Sequence, residues 1–118
     1  MKTLIIPFFF SFLILAASFS AVANDGLTIE ITDGMKLKII VDNQTPQDIN
    51  LSLTVLIKSL SNVTRLNNTR NDMVPRGSHF ERTYHFLTIQ KISVYVKAGD
   101  KQVEKHGIII GFFILLKP

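Results

Sequence analysis

The side chains of this chain best suited to acid–base or metal chemistry are His79, Glu81, His85 and His106. The first three share the parity of an extended strand, in which alternate residues point to one face. At roughly 3.3 Å per residue, Glu81 and His85 would sit about 13 Å apart, too far for one ion to bridge without ligands from elsewhere. No metal site is expected there, and the three read as wetted-face residues opposite Phe80 and Phe86. His106 precedes Gly107 and reads as a turn residue. The chain has no Cys, which excludes a thiol nucleophile and thiolate metal sites. Ser and His are present in numbers that a hydrolase could use, but no G-x-S-x-G turn exists to present a nucleophile. The expectation is therefore a protein without catalytic residues and without a cofactor.

A second kind of chemistry is charge. Residues 24–60 carry three Lys against five acids, whereas residues 61–118 carry nine Lys and Arg against four acids. Arg65, Arg70, Arg76 and Arg82 fall in or beside a polar, Asn-rich connection over residues 61–79, and are the candidates for contact with a polyanion or partner. The bland reading, a solvated loop, is favoured. Nucleic-acid readers interleave aromatics with their cations, and none lies between Leu60 and Phe80, so no nucleic-acid partner is expected. A protein or glycan partner fits better. The same connection contains Met73 to His79, M-V-P-R-G-S-H, close to the thrombin site of expression vectors. Pro75 presets its backbone and Gly77 tolerates positive φ, which reads as a native turn before a strand starting near Phe80.

The elements that must position these residues read as strands. Leu27, Ile29 and Ile31 alternate with polar residues, Asp33-Gly34 is a hairpin turn signal, and Met35, Leu37, Ile39 and Val41 alternate again. Ile49 to Ile57 shows the cleanest period of two, which means one buried and one wetted face. Phe80, Tyr84 and Phe86 share one parity; Ile92, Val94 and Val96 share another. The parity change between Ile89 and Ile92 predicts a bulge or break near Gln90-Lys91. Ala98 to Lys101 is a turn. Six to seven strands predict an all-β, antiparallel two-sheet sandwich of immunoglobulin-like architecture, without the Cys and Trp landmarks of true immunoglobulin domains.

The last segment, Gly107 to Leu116, is apolar but too short for a spanning helix. It reads as a central strand buried on both faces, with Gly107 and Gly111 marking bends or close backbone approach. A strand that meets a membrane and a removable lipid-anchor tail are the competing readings.

The N-terminus carries Lys2, an apolar run from Leu4 to Ala17, and Ala21-Val22-Ala23 as a small-x-small cleavage site. Residues 1–23 read as a secretory signal peptide, leaving residues 24–118 as one domain. Removing 23 of the 118 residues leaves 95, enough for one core that must hold without disulfides. A cysteine-free exported domain points to a bacterial periplasmic or secreted protein. Asn50, Asn62 and Asn67 begin N-glycosylation patterns, which carry no weight in such a cell. The functional expectation is a small exported binding or interaction module, not an enzyme. A membrane-active protein using residues 107–116 and a small hydrolase are its rivals.

Overall fold

The computed structural model describes residues 18–22, by their backbone, and residues 26–117. The strands in this part are β1 (Ser18–Val22), β2 (Leu27–Thr32), β3 (Leu37–Asn43), β4 (Ile49–Lys58), β5 (Thr64–Val74), β6 (Ser78–Tyr84), β7 (Thr88–Ala98), β8 (Lys101–Gly111) and β9 (Phe113–Leu116). They form two antiparallel sheets, β1-β2-β3-β6 and β5-β4-β7-β8-β9. The predicted all-β, two-sheet antiparallel sandwich is the architecture found, with eight strands between Leu27 and Leu116 in place of the expected six to seven. β1 falls inside the segment read as a leader and pairs with β2 from Ser18↔Thr32 to Val22↔Thr28. The rest of that segment, including Ala23, lies outside the described residues.

Alternation explains the core. Leu27, Ile29 and Ile31 of β2, Leu37, Ile39 and Val41 of β3, Leu51, Leu53, Val55 and Ile57 of β4, and Ile92, Val94 and Val96 of β7 send their apolar side chains inward, and all are buried. Each large aliphatic side chain so buried contributes about 1.5–3 kcal/mol. A slip of one residue in any of these strands would turn its whole apolar row into water, so the pattern also sets the register. The predicted Asp33-Gly34 and Gly99-Asp100 turns are both present. Met35, expected at the head of β3, instead lies exposed in the turn before it.

Three readings of the sequence are corrected. Residues 61–79 are not one loop: Thr64–Val74 is a strand paired with β4 from Ile49↔Val74 to Lys58↔Thr64. It is polar on both faces because it lies at the edge of its sheet and most of its side chains stay exposed, so it has no alternation to detect. There is no break at Gln90-Lys91; β7 runs through it, paired in order with β8, and the irregularity lies at Ile57/Lys58 between β4 and β5. Ile89 breaks parity with Ile92 because it points outward and is exposed. Finally, the apolar C-terminal segment is not a central strand buried on both faces. It folds at Gly111-Phe112 into a hairpin with β9 on the rim of the sheet, burying Ile109, Ile114 and Leu116 and exposing Ile110, Phe113 and Leu115.

Pro75-Arg76-Gly77 is the corner that carries the chain from one sheet to the other. Gly77 has φ of 75°, and its N–H donates to the Asn43 carbonyl at 2.7 Å. The Arg76 N–H donates to Asp48 Oδ1 at 3.0 Å. Asn43 itself is fully buried, and its Nδ2 donates to Val74 O at 2.9 Å and Gln47 O at 2.8 Å. Its Oδ1 accepts from Thr45 N–H at 3.0 Å and Thr45 Oγ1 at 2.6 Å. One buried amide thus ties the β3–β4 connection to the end of β5 with no polar atom left unpaired.

Candidate functional site

The two ends of the sandwich differ in chemistry. Registers place the β2–β3 turn, the β4–β5 loop, the β6–β7 connection and the β8–β9 turn at one end, with Lys58↔Lys91, Ile108↔Leu115 and Gly34↔Ile114 as its pairings. Among the described residues, every exposed large apolar side chain except Met73 lies at or beside this end. Each connection supplies one or more: Met35, Leu60, Leu87 and Phe112. Directly opposed residues of an antiparallel pair share a face, so Ile89, Ile110 and Phe113 form a row across β7, β8 and β9. They are 61%, 49% and 47% exposed, which makes the row a surface feature rather than core.

Next to that row lies an open cleft of about 680 Å³ on the outer face of β7, β8 and β9. Ile108, Leu115, Lys91 and Lys117 are among its lining residues. Gly107 lines it because nothing larger fits. A Cβ at that position would collide with the Leu115 carbonyl, so glycine lets β9 approach β8 closely. Lys91 Nζ donates to Asn62 Oδ1 at 2.8 Å, fixing the β4–β5 loop beside the cleft. The lining thus combines cationic and apolar side chains.

Ser93 and His106, which also line the cleft, belong with Glu104 to a relay that the sequence reading missed. Ser93 Oγ lies 2.8 Å from His106 Nδ1, and His106 Nε2 lies 2.6 Å from Glu104 Oε2. His106 is not a turn residue but sits within β8, opposite Ser93 of β7. Tyr95 meets its ring edge-on at 5.8 Å between centroids. Glu104 and His106 sit two apart on one strand and so share a face; the cross-strand partner Ser93 could not be read from spacing. The connectivity is that of a nucleophile, a base and an orienting acid. Hydrolysis needs in addition backbone N–H donors aimed at a developing oxyanion. Ser93 lies in an inner strand whose backbone pairs with β4 on one side and β8 on the other, so its amides serve the ladders.

The arginines are spread out rather than gathered. Arg65 lies near the apolar end of β5 and Arg76 in the corner at the opposite end, roughly 30 Å away along an extended strand. Arg70 binds Asp72 Oδ2 through Nε and Nη2 at 3.3 and 3.2 Å, and its guanidinium lies 5.7 Å from the Phe80 ring centroid. Arg82 lies 5.5 Å from the Tyr84 ring centroid, and Tyr84 stacks on Phe86. These two arginines cover aromatic side chains that pack against the core. His79 and Glu81 face out from β6 and line a shallow cleft with Glu30 and Asp42, while His85 follows the end of the strand. Among the described residues, no cluster of three or more His, Asp or Glu is placed to hold a metal ion.

No protein-family model and no curated protein sequence matches the chain. Among solved structures it is similar to a calcium-binding mutant of Bacteroides uniformis beta-glucuronidase 2, at 10% identity and a TM-score of 0.45, over 78% of this chain and 13% of that one. It is similar also to Bacteroides uniformis beta-glucuronidase, at 11% identity and a TM-score of 0.45, over 78% of this chain and 12% of that one. The chain therefore spans about an eighth of the length of the structures it matches.

Proposed function

We propose that the protein is an exported, non-catalytic β-sandwich module that binds an amphiphilic partner through the cleft lined by Gly107 and the apolar row beside it. The observation that carries this reading is the juxtaposition of Lys91 and Lys117 with Ile108 and Leu115 around one opening. The cationic side chains of the lining suit an anionic group, and its aliphatic side chains suit the hydrocarbon or apolar side chain attached to it. Ser93 and His106 add polar groups to the lining. The commitment of the nearby backbone to sheet ladders supports a binding role over hydrolysis. Export rests on the leader pattern of residues 1–23.

A site-resolved titration tests the reading. Dodecyl phosphate, kept below its micelle concentration, is added to isotope-labelled protein while amide resonances are followed. Saturable shifts concentrated at residues 91–93, 106–108 and 115–117 are expected. Shifts confined to residues 65–82, or none, would refute the assignment. Ser93→Ala, which removes one polar contact, is expected to weaken binding only modestly, and reaction of Ser93 with a fluorophosphonate would overturn the non-catalytic part.

A further inference from the structure

The same end of the sandwich has the composition of a surface that lies against lipid. Its apolar side chains come from four separate connections and an adjoining strand row, so they form a broad face and not a single hole. Lys36 lies in the β2–β3 turn, Lys58 and Arg65 flank the β4–β5 loop, Lys91 pairs with Lys58 in register, and Lys117 stands farther back, beyond the end of β9. The acid among these connections is Asp33, and its Oδ2 is already occupied in accepting the Leu116 N–H at 2.8 Å. Cations around a set of shallow apolar tips complement an anionic bilayer, whose surface charge attracts Lys and Arg while its interface accepts apolar side chains. A soluble polyanion would use the cations but leave Phe112, Phe113 and Leu87 in water. Phe112 and Phe113 contact one another at 4.9 Å between centroids, and each remains 47% exposed.

We infer that this end docks peripherally on anionic lipid bilayers, its loop tips entering the headgroup region and its lysines contacting lipid phosphates. The inference rests on the proposed binding role of this end and names its partner. It differs from membrane insertion of the C-terminal strand, because Ile109 and Ile114 point into the core and cannot face lipid while the sandwich is folded. Docking of this kind leaves the fold intact.

The test is flotation with vesicles of phosphatidylglycerol and phosphatidylcholine, against vesicles of phosphatidylcholine alone. The protein is used as its host processes it, with its N-terminus read by intact mass, so that any retained leader is common to all variants. Association with the anionic vesicles, weakened by added salt, is expected. Phe112→Ser/Phe113→Ser and Lys36→Gln/Lys117→Gln should each lower the partition coefficient about tenfold or more, with circular dichroism and thermal unfolding confirming that both fold. Undiminished association of both folded variants would overturn the inference. So would equal binding to the two kinds of vesicle, or tighter binding to heparin than to anionic vesicles. No vesicle binding together with saturable dodecyl phosphate shifts would remove the bilayer and leave the cleft. Vesicle binding without those shifts would remove the cleft and leave the docking end.

Discussion

Gly34 and Ile114 exchange both backbone hydrogen bonds: the Gly34 N–H donates to the Ile114 carbonyl at 2.9 Å, and the Ile114 N–H donates back at 2.7 Å. The turn of one sheet therefore pairs with the rim strand of the other. With the Asp33 carboxylate accepting from Leu116, this contact holds β9 from the side that β8 does not cover. It also blunts an edge that would otherwise invite strand pairing with another chain.

Gly34 has φ of 115°, a conformation that residues with a Cβ rarely adopt, and open space surrounds the position where a Cβ would stand. Gly34→Val is therefore expected to destabilise by backbone strain, about 1–3 kcal/mol, and to loosen β9. Hydrogen exchange should show faster opening of the Ile114 and Leu116 amides. Unchanged exchange there would contradict the pairing.

Ile109 and Phe113 belong to the same apolar segment but differ in exposure, 0% against 47%. Ile109→Lys should cost several kcal/mol through lost burial and an unpaired buried charge. Phe113→Lys should change stability by about 1 kcal/mol or less, since its side chain already meets water. Thermal unfolding of the two variants checks this. Equal, severe losses would restore the picture of a strand buried on both faces.

Replacing Asn43 by Ala leaves the Val74 carbonyl and the Thr45 N–H without their side-chain partner, while the Thr45 hydroxyl still donates to the Gln47 carbonyl at 2.9 Å. A loss of about 2–4 kcal/mol is expected, at about 1–3 kcal/mol for each buried group left unpaired. Because the β5–β6 corner hangs on the same residue, trypsin should cut Arg76–Gly77 faster in this variant. Arg65 and Arg70, held in a paired strand, should be cut only after global unfolding. Early cleavage at either would argue against β5.

Signal cleavage after Ala23 predicts an exported form that begins at Asn24, and intact-mass measurement decides it. The cut would remove β1 and leave β2 as the rim of a three-stranded sheet. The apolar residues of β2 face the core rather than that rim, so the domain should remain folded and unfold cooperatively. Retention of residues 1–23 in the exported protein would defeat the expectation.

The alternation of β2, β3, β4 and most of β7 was legible without a structure, because a half-buried strand writes its two faces into every second residue. The turns at Asp33-Gly34 and Gly99-Asp100 were legible for a similar local reason. Gly107 and Gly111 announced a close approach and a bend, and each occurs. β5 was hidden, since an edge strand with most side chains in water needs no apolar period and its hydrogen bonds lie with β4, out of view of local pattern. The apolar run 107–116 could state that it was hydrophobic but not which face would be covered. That depends on which face meets the opposite sheet: Ile109 and Ile114 turn toward it, while Ile110, Phe113 and Leu115 lie on the outer face. Ser93, Glu104 and His106, and the gathering of apolar tips from four connections at one end, were decided by strand order and register. Those are properties of residues distant in the chain, which only the folded sandwich brings side by side.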